Sequence, residues 1–203
     1  KQSGGHGQFG DVWIEFSPIG DDATDFEFVD AVVGGVVPRN FIPSVEKGLR
    51  DNIKRGVLAG YPMVGLRAKL YDGSYHPVDS SEMAFKTAAR IAYKKGCMDA
   101  SPVLLEPIMH VEVIVPDEYM GDIMGDMNKR RGRIIGMNQT HDGEQMVEAE
   151  APMAEMFKYA TDLRSMTQAR GSFSMRFERY EEVPASTAQK IIAAAKIDDD
   201  DDE

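Results

Sequence analysis

Two stretches in the second half of the chain follow one plan, and that repetition restricts the fold more than any other feature of the sequence. In the first, a strand pattern from Ile108 to Val115 runs into Pro116, then a helical pattern carrying Met120, Ile123, Met124 and Met127, then a stop at Arg131-Gly132. In the second, Met146 to Ala151 runs into Pro152, a helical pattern carrying Met156, Phe157, Ala160 and Leu163, and a stop at Arg170-Gly171. A change from an apolar run to a 3.6-residue period across a proline marks a strand giving way to a helix. With further strands expected at Arg133 to Gln139 and Ser172 to Tyr180, the order is βαββαβ, the ferredoxin-like arrangement.

The first half obeys different punctuation. Val12, Ile14 and Phe16 alternate with Trp13 and Glu15, the period of a half-buried strand. A second strand is expected from Phe26 to Val33, broken by Gly34-Gly35, and a helix from Ile42 to Arg55, stopped by Gly56. Another strand, Met63 to Tyr71, leads into the polar loop Asp72-Gly73-Ser74-Tyr75-His76-Pro77-Val78. Asp79-Ser80-Ser81-Glu82 has capping-box spacing, and the helix it opens would present Ala84, Ala88, Ile91 and Ala92 on one face before Gly96 ends it. A last apolar spacing, Ala188, Ile191, Ile192 and Ala195, predicts a terminal helix after Pro184. The chain is therefore expected to be α+β in two domains, divided near Pro107.

Few of its residues are arranged for catalysis. Gly5-His6-Gly7-Gln8-Phe9-Gly10 matches G-x-G-x-x-G, but that fingerprint holds a pyrophosphate only between a strand and a helix N-terminus, and here a strand follows it. The glycines are expected to make a tight or flexible loop instead. No G-x-x-x-x-G-K-[ST] occurs in the sequence. The histidines His6, His76, His110 and His141 lack partners at metal-ligand spacing, so no metal site is expected, and His110 falls in a strand pattern as a structural residue. Ser74, His76 and Asp79 supply the residue types of a hydrolytic triad within one short loop, a small-hydrolase alternative that such crowding disfavours. The methionine stripes are expected to pack in cores.

Charge confines nucleic-acid contact to small regions. Removing the six charges of the terminal run Asp198 to Glu203 from the net of −11 leaves −5, too acidic for a general nucleic-acid binder. The run itself is expected to be a solvated tail. Lys129, Arg130, Arg131 and Arg133 cluster at a helix end, where cations complement the helix dipole and are also the best candidates for phosphate contact. A single cysteine, Cys97, cannot form an internal disulfide, and there is no secretory signal or membrane-spanning run, so the expected compartment is the cytoplasm. Lys1 opens directly on a glycine motif, as in a piece of a longer protein.

Longer strings carry a resemblance. The segments 1–10, Gly34-Gly35-Val36-Val37-Pro38 and Tyr71 through Glu82 resemble the fourth domain of bacterial elongation factor G. Leu105-Glu106-Pro107-Ile108-Met109, Tyr119-Met120-Gly121-Asp122, Arg130-Arg131-Gly132 and Ala154 through Ser165 resemble its fifth. The resemblance implies a fold like domain 2 of ribosomal protein S5, with a left-handed βαβ crossover, over residues 1–106, and a ferredoxin-like domain over 107–183. It also implies a terminal helix, 184–197, returning to the first domain, with 198–203 as an acidic tail. Its functional implications are a GTPase parent whose GTP and Mg lie in an absent N-terminal domain, with no cofactor in this chain. The implied partners are the ribosome, transfer RNA and messenger RNA, with no membrane and no self-association. Gln8 and His76 match tip residues that contact RNA in the small-subunit decoding region, with Ser3, Gly4, Gly5, Gly7, Gly73, Ser74, Tyr75 and Asp79 in the surrounding loops. Lys129, Arg130, Arg131 and Arg133 would face large-subunit RNA near the factor-binding centre. A recycling or ribosome-protection paralogue of the same family is the alternative.

Overall fold

The alternation of Val12, Ile14 and Phe16 becomes β1 (Asp11–Pro18), which turns those three side chains to a core and leaves Trp13 55% exposed on the other side. The computed structural model describes residues 7–195, and in it these form two units: residues 7–103 with 184–195, and residues 104–183.

In the first unit β1 pairs antiparallel with β3 (Leu66–Ser74), and β2 (Phe26–Asp30) pairs parallel with the other side of β3, giving the order β1-β3-β2. A parallel pair needs a crossover, and the helix α1 (Ile42–Asn52) lies within it. The helix α2 (Glu82–Asp99) packs on α1 at Gly48, where a Cβ would come 3.0 Å from the backbone of Lys86. Val37, Val45, Leu49, Ala68, Leu70, Phe85, Ala89, Tyr93 and Cys97 form the core.

Several boundaries differ from expectation, each for a local reason. Strand β2 stops at Asp30, whose carboxylate accepts the Val32 N–H at 3.0 Å and turns the chain out of the sheet. Strand β3 starts at Leu66, after Gly65 at φ +67°, and continues through Gly73 and Ser74, which the sequence pattern assigns to the loop. The cap of α2 is Ser81, whose hydroxyl accepts the Ala84 N–H at 3.1 Å; Glu82 is then the first helical residue and not the third, so no reciprocal box forms. Its buried side is Ala84, as expected, with Phe85, Ala89, Tyr93 and Cys97, while Ile91 is 58% exposed. Gly96 does not end the helix. It lets the helix approach β1 so closely that a Cβ would sit 2.7 Å from the Phe16 ring.

The second unit has four antiparallel strands in the order β5-β6-β4-β7: β4 (Leu105–Val115), β5 (Arg133–Gln139), β6 (Gln145–Pro152) and β7 (Ser172–Glu182). With α3 (Met120–Lys129) after β4 and α4 (Tyr159–Met166) after β6, this is the ferredoxin-like βαββαβ topology. Val111, Val113 and Val115 alternate from β4 into a core completed by Ile123, Met127, Val147, Ala149, Tyr159 and Leu163. Ile108, His110, Glu112 and Ile114 fall on the opposite face of that strand.

The repeated plan holds in outline. Each proline is followed by a short 3₁₀ turn, Asp117–Tyr119 and Met153–Glu155, before its helix. The ends differ. Arg131, at φ +56°, is the left-handed residue of a Schellman closure: Gly132 N–H bonds the Met127 carbonyl at 2.8 Å and Arg131 N–H the Asn128 carbonyl at 3.3 Å. Helix α4 closes before its Arg-Gly, through Gln168 and Ala169 at φ +51° and +66°, with Ala169 N–H on the Arg164 carbonyl at 2.9 Å. Phe157, expected in the core, is 78% exposed, and Tyr159 fills that place. The terminal helix α5 (Ala185–Ala194) follows Pro184, groups with the first unit and has no fully buried residue. The expected acidic tail lies outside the described residues.

Candidate functional site

Two loops of the first unit meet at one end of its sheet: the glycine loop 7–10 before β1 and the polar loop 75–81 between β3 and α2. Ser3, Gly4 and Gly5 lie outside the described residues. Gly7 N–H donates to Asp79 Oδ1 at 3.0 Å, and Phe9 N–H donates to the Asp79 carbonyl at 2.9 Å. The Ser80 hydroxyl donates to the Phe9 carbonyl at 2.9 Å and accepts the His76 N–H at 2.8 Å. The glycines allow this contact. A Cβ at Gly7 would sit 3.0 Å from Asp79 Oδ2, and one at Gly10 would sit 2.8 Å from the Ala84 carbonyl of α2. The motif therefore brings backbones together, as a loop followed by a strand, and not as a pyrophosphate cradle.

His76 is half exposed, and its Nδ1 accepts two main-chain protons, from Val78 N–H at 3.2 Å and Asp79 N–H at 3.0 Å. An atom that accepts cannot also donate to the Asp79 carboxylate 3.5 Å away, so we read that contact as proximity rather than an ion pair. The ring is thereby held as the Nε2–H tautomer. Phe9 leans on it with ring centroids 6.5 Å apart. Gln8 lies exposed between Gly7 and Phe9, and Tyr75 is 49% exposed. The sequence therefore brings Gln8, Gly7, Tyr75, His76 and Asp79 into one loop pair. Gly73 and Ser74 stand apart from it at the end of β3, where Ser74 and Asp11 face each other across the ladder.

The hydrolase alternative fails on this geometry. Ser74 Oγ donates to Asp11 Oδ2 at 2.8 Å, and His76 Nδ1 is taken by amides, so Ser74, His76 and Asp79 do not form a relay. Ser80 joins the site although sequence reasoning does not single it out. The signal for Ser80 is the doubled serine at 80–81, where a helix needs one cap.

The basic cluster of the second unit does not form one patch. Arg130 is 12% exposed; it donates to Asp126 Oδ2 at 2.8 Å, to the Glu155 carbonyl at 2.7 Å and to Asp162, and lies over the Tyr159 ring at 5.0 Å. Its guanidinium donors are taken by these partners within the unit. Arg131 makes a two-point bond to Glu106, 2.9 Å on each arm, and reaches Glu155 at 3.4 Å. Arg133 is 70% exposed and bonds Glu150 at 2.7 Å, while Lys129 is exposed and pairs with no carboxylate among the described residues. Glu150 also takes both arms of Arg179; these bonds, with those from Arg133, hold its carboxyl down at about 2. His110 is buried on the strand face shared with Glu112, 3.5 Å from its carboxylate.

Burial pushes the Cys97 thiol up to about 11, away from the reactive range. Among the described residues no group of histidines, cysteines and carboxylates is placed to hold a metal, and no helix is long and apolar enough to cross a membrane.

Comparison with known proteins agrees with the division of the chain. A family model described as Elongation factor G, domain IV, matches residues 1–101, and one described as Elongation factor G C-terminus matches residues 103–191. A solved crystal structure of a protein from Thermus thermophilus is similar at a TM-score of 0.82 and 44% identity, over 95% of this chain. The chain spans 28% of that protein's length.

Proposed function

Because the chain belongs to the elongation factor G family of translation factors, we propose that it is the ribosome-engaging C-terminal part of such a factor, acting in the translocation of transfer and messenger RNA. In this reading the loop end of the first unit works in the decoding region of the small subunit, and the second unit contacts large-subunit RNA near the factor-binding centre. The observation that carries it is the interlocked loop pair. Gln8 and His76 stand on two loops whose backbones are bonded to each other, and the imidazole offers an N–H donor at Nε2 suited to a phosphate, a ribose or a base edge.

The work of such an end is steric and electrostatic. A stiff pair of loops occupies the space that a moving transfer RNA leaves and opposes its return, while GTP hydrolysis with Mg in a separate domain of the parent supplies direction. No bond is made or broken in this chain, and the parent would act as a monomer in the cytoplasm. On the second unit, Lys129 is an exposed cation without a carboxylate partner among the described residues and is the member of the cluster best placed to meet phosphate, with Arg131 and Arg133 at its margin and Arg130 serving the fold.

The test is His76→Ala in the factor that contains this chain, followed by rapid kinetics on ribosomes. Movement of transfer RNA should slow, while ribosome-stimulated GTP hydrolysis stays near that of the parent. Movement at the normal rate would sink the reading, and loss of both activities together would point to a failure of folding or of ribosome binding.

A further inference from the structure

We infer that Asp79 is a positioning residue that presents Gln8 and His76 together, and not a group that touches RNA itself. The inference rests on the reading of the loop end given above and deepens it. Asp79 makes three bonds with three different atoms. Its carboxylate receives the N–H of Gly7, its carbonyl receives the N–H of Phe9, and its own N–H is donated to His76 Nδ1. Gly7 and Phe9 are the two neighbours of Gln8, so the main chain on each side of Gln8 is fastened to one residue of the other loop. That same residue holds the imidazole from the ring atom opposite its exposed nitrogen. Gln8 and His76 are 68 positions apart in sequence, yet both are located by Asp79.

Two further features belong to this clamp. The carboxylate stands against the space where a Gly7 Cβ would be, 3.0 Å from Oδ2, so any side chain at residue 7 would press the carboxylate away from its observed place. Ser80 adds a parallel link, joining His76 N–H to the Phe9 carbonyl through one hydroxyl. The side chain of Asp79 is 28% exposed against 50% for His76, so the carboxylate is the more covered of the two. A carboxylate aimed at phosphate would also repel it, whereas one spent on a backbone N–H braces the loop.

Three substitutions test the inference: Asp79→Ala, which removes the acceptor; Asp79→Asn, which keeps an acceptor oxygen and drops the charge; and Gly7→Ala, which pushes on the carboxylate from the other loop. In the 203-residue chain, NMR hydrogen exchange should show the Gly7 amide exchanging at least about tenfold faster in Asp79→Ala and Gly7→Ala, and near the parent rate in Asp79→Asn. The nitrogen shifts of the His76 ring should move away from the Nε2–H tautomer in the alanine variants. In the full-length factor, transfer RNA movement should slow between about 10- and 100-fold in both alanine variants, the scale on which misplaced contacts act, and recover in Asp79→Asn. Unchanged Gly7 exchange in Asp79→Ala would overturn the inference, and so would an Asp79→Asn variant as slow as Asp79→Ala, since the charge itself would then be at work. If His76→Ala slows movement and Asp79→Ala does not, the positioning role alone fails. If neither slows it, the reading of the loop end fails with it.

Discussion

Arg130→Ala should destabilise the second unit by about 3.5 kcal/mol while leaving the first unaffected. The guanidinium is 12% exposed and Asp126 19%, so their 2.8 Å bond is a charged hydrogen bond in a mostly covered place, a contribution of about 1.5–3 kcal/mol. The bond to the Glu155 carbonyl adds roughly 1 kcal/mol, and the stack over Tyr159 about 0.5–1. Asp162 is 45% exposed and rehydrates when its partner goes, which reduces its share to the ~0.5 kcal/mol of a surface pair. Removing one partner of a fully buried pair costs about 3–5 kcal/mol, and the open side of Asp162 sets this case at the lower end. The single tryptophan, Trp13, lies in the first unit, so its fluorescence follows that unit while far-ultraviolet circular dichroism follows both. In urea, at a slope near ~1 kcal/mol per molar for a unit of this size, the dichroism transition should fall by about 3–4 M with the Trp13 transition unmoved. Arg133→Ala is the control, because its side chain is 70% exposed and Glu150 keeps Arg179; its cost should stay within ~0.5 kcal/mol. Equal midpoints for the two variants would refute the inward assignment of Arg130.

Glu150 links stability to pH: with its carboxyl drawn from 4.5 down to about 2 by Arg179 and Arg133, its contribution is complete above about pH 4.5 and is lost as pH falls toward 2. The stability gap between the parent and Glu150→Gln should be about 1–2 kcal/mol at pH 6, allowing for solvent screening, and close by pH 2; a gap independent of pH would contradict the assignment. Gly125 stands in mid-helix on α3, and a Cβ placed on it would meet nothing within 4 Å. Gly125→Ala should therefore raise the urea midpoint by the equivalent of about 0.5–1 kcal/mol, and a lowered midpoint would show that the helix needs glycine there.

What was legible in the sequence divides by range. Elements with a clear period, such as β1, β4, α1 and α3, came out within a few residues of their observed bounds. The face of α2 came out only in part, Ala84 being buried and Ile91 not, because alanine at 84, 88, 89 and 92 fits a core and a surface alike, and the choice fell to Phe85 and Tyr93 and to the close approach of Gly96 to Phe16. The second Arg-Gly stop misled because a Schellman closure needs a left-handed residue and not a particular dipeptide; Gln168 and Ala169 supplied it first. At the loop end, the residue types and their membership of a site were legible through resemblance, but the bond between Gly7 and Asp79 spans 72 positions and no local pattern announces it. Arg130 is the instructive middle case. Asp126 stands four residues before it, the spacing of a helical ion pair, and that alone argued against counting it with Lys129 as a free cation.

The second unit is an insertion in the chain of the first, which supplies residues on both sides of it. Leu105 pairs with Glu182 in the ladder between β4 and β7, and Val183 N–H bonds the Leu104 carbonyl at 2.9 Å, so the chain arrives at and departs from that unit at one point. Residues 104–183 could be cut out and the gap sealed by a short turn, because the severed ends already touch. The same arrangement imposes a schedule on a nascent chain. β4 is the first strand of its unit to be made but receives β7 only after the rest of the unit has been made, and α5 follows later still, so the first unit gains that helix only once the second is complete.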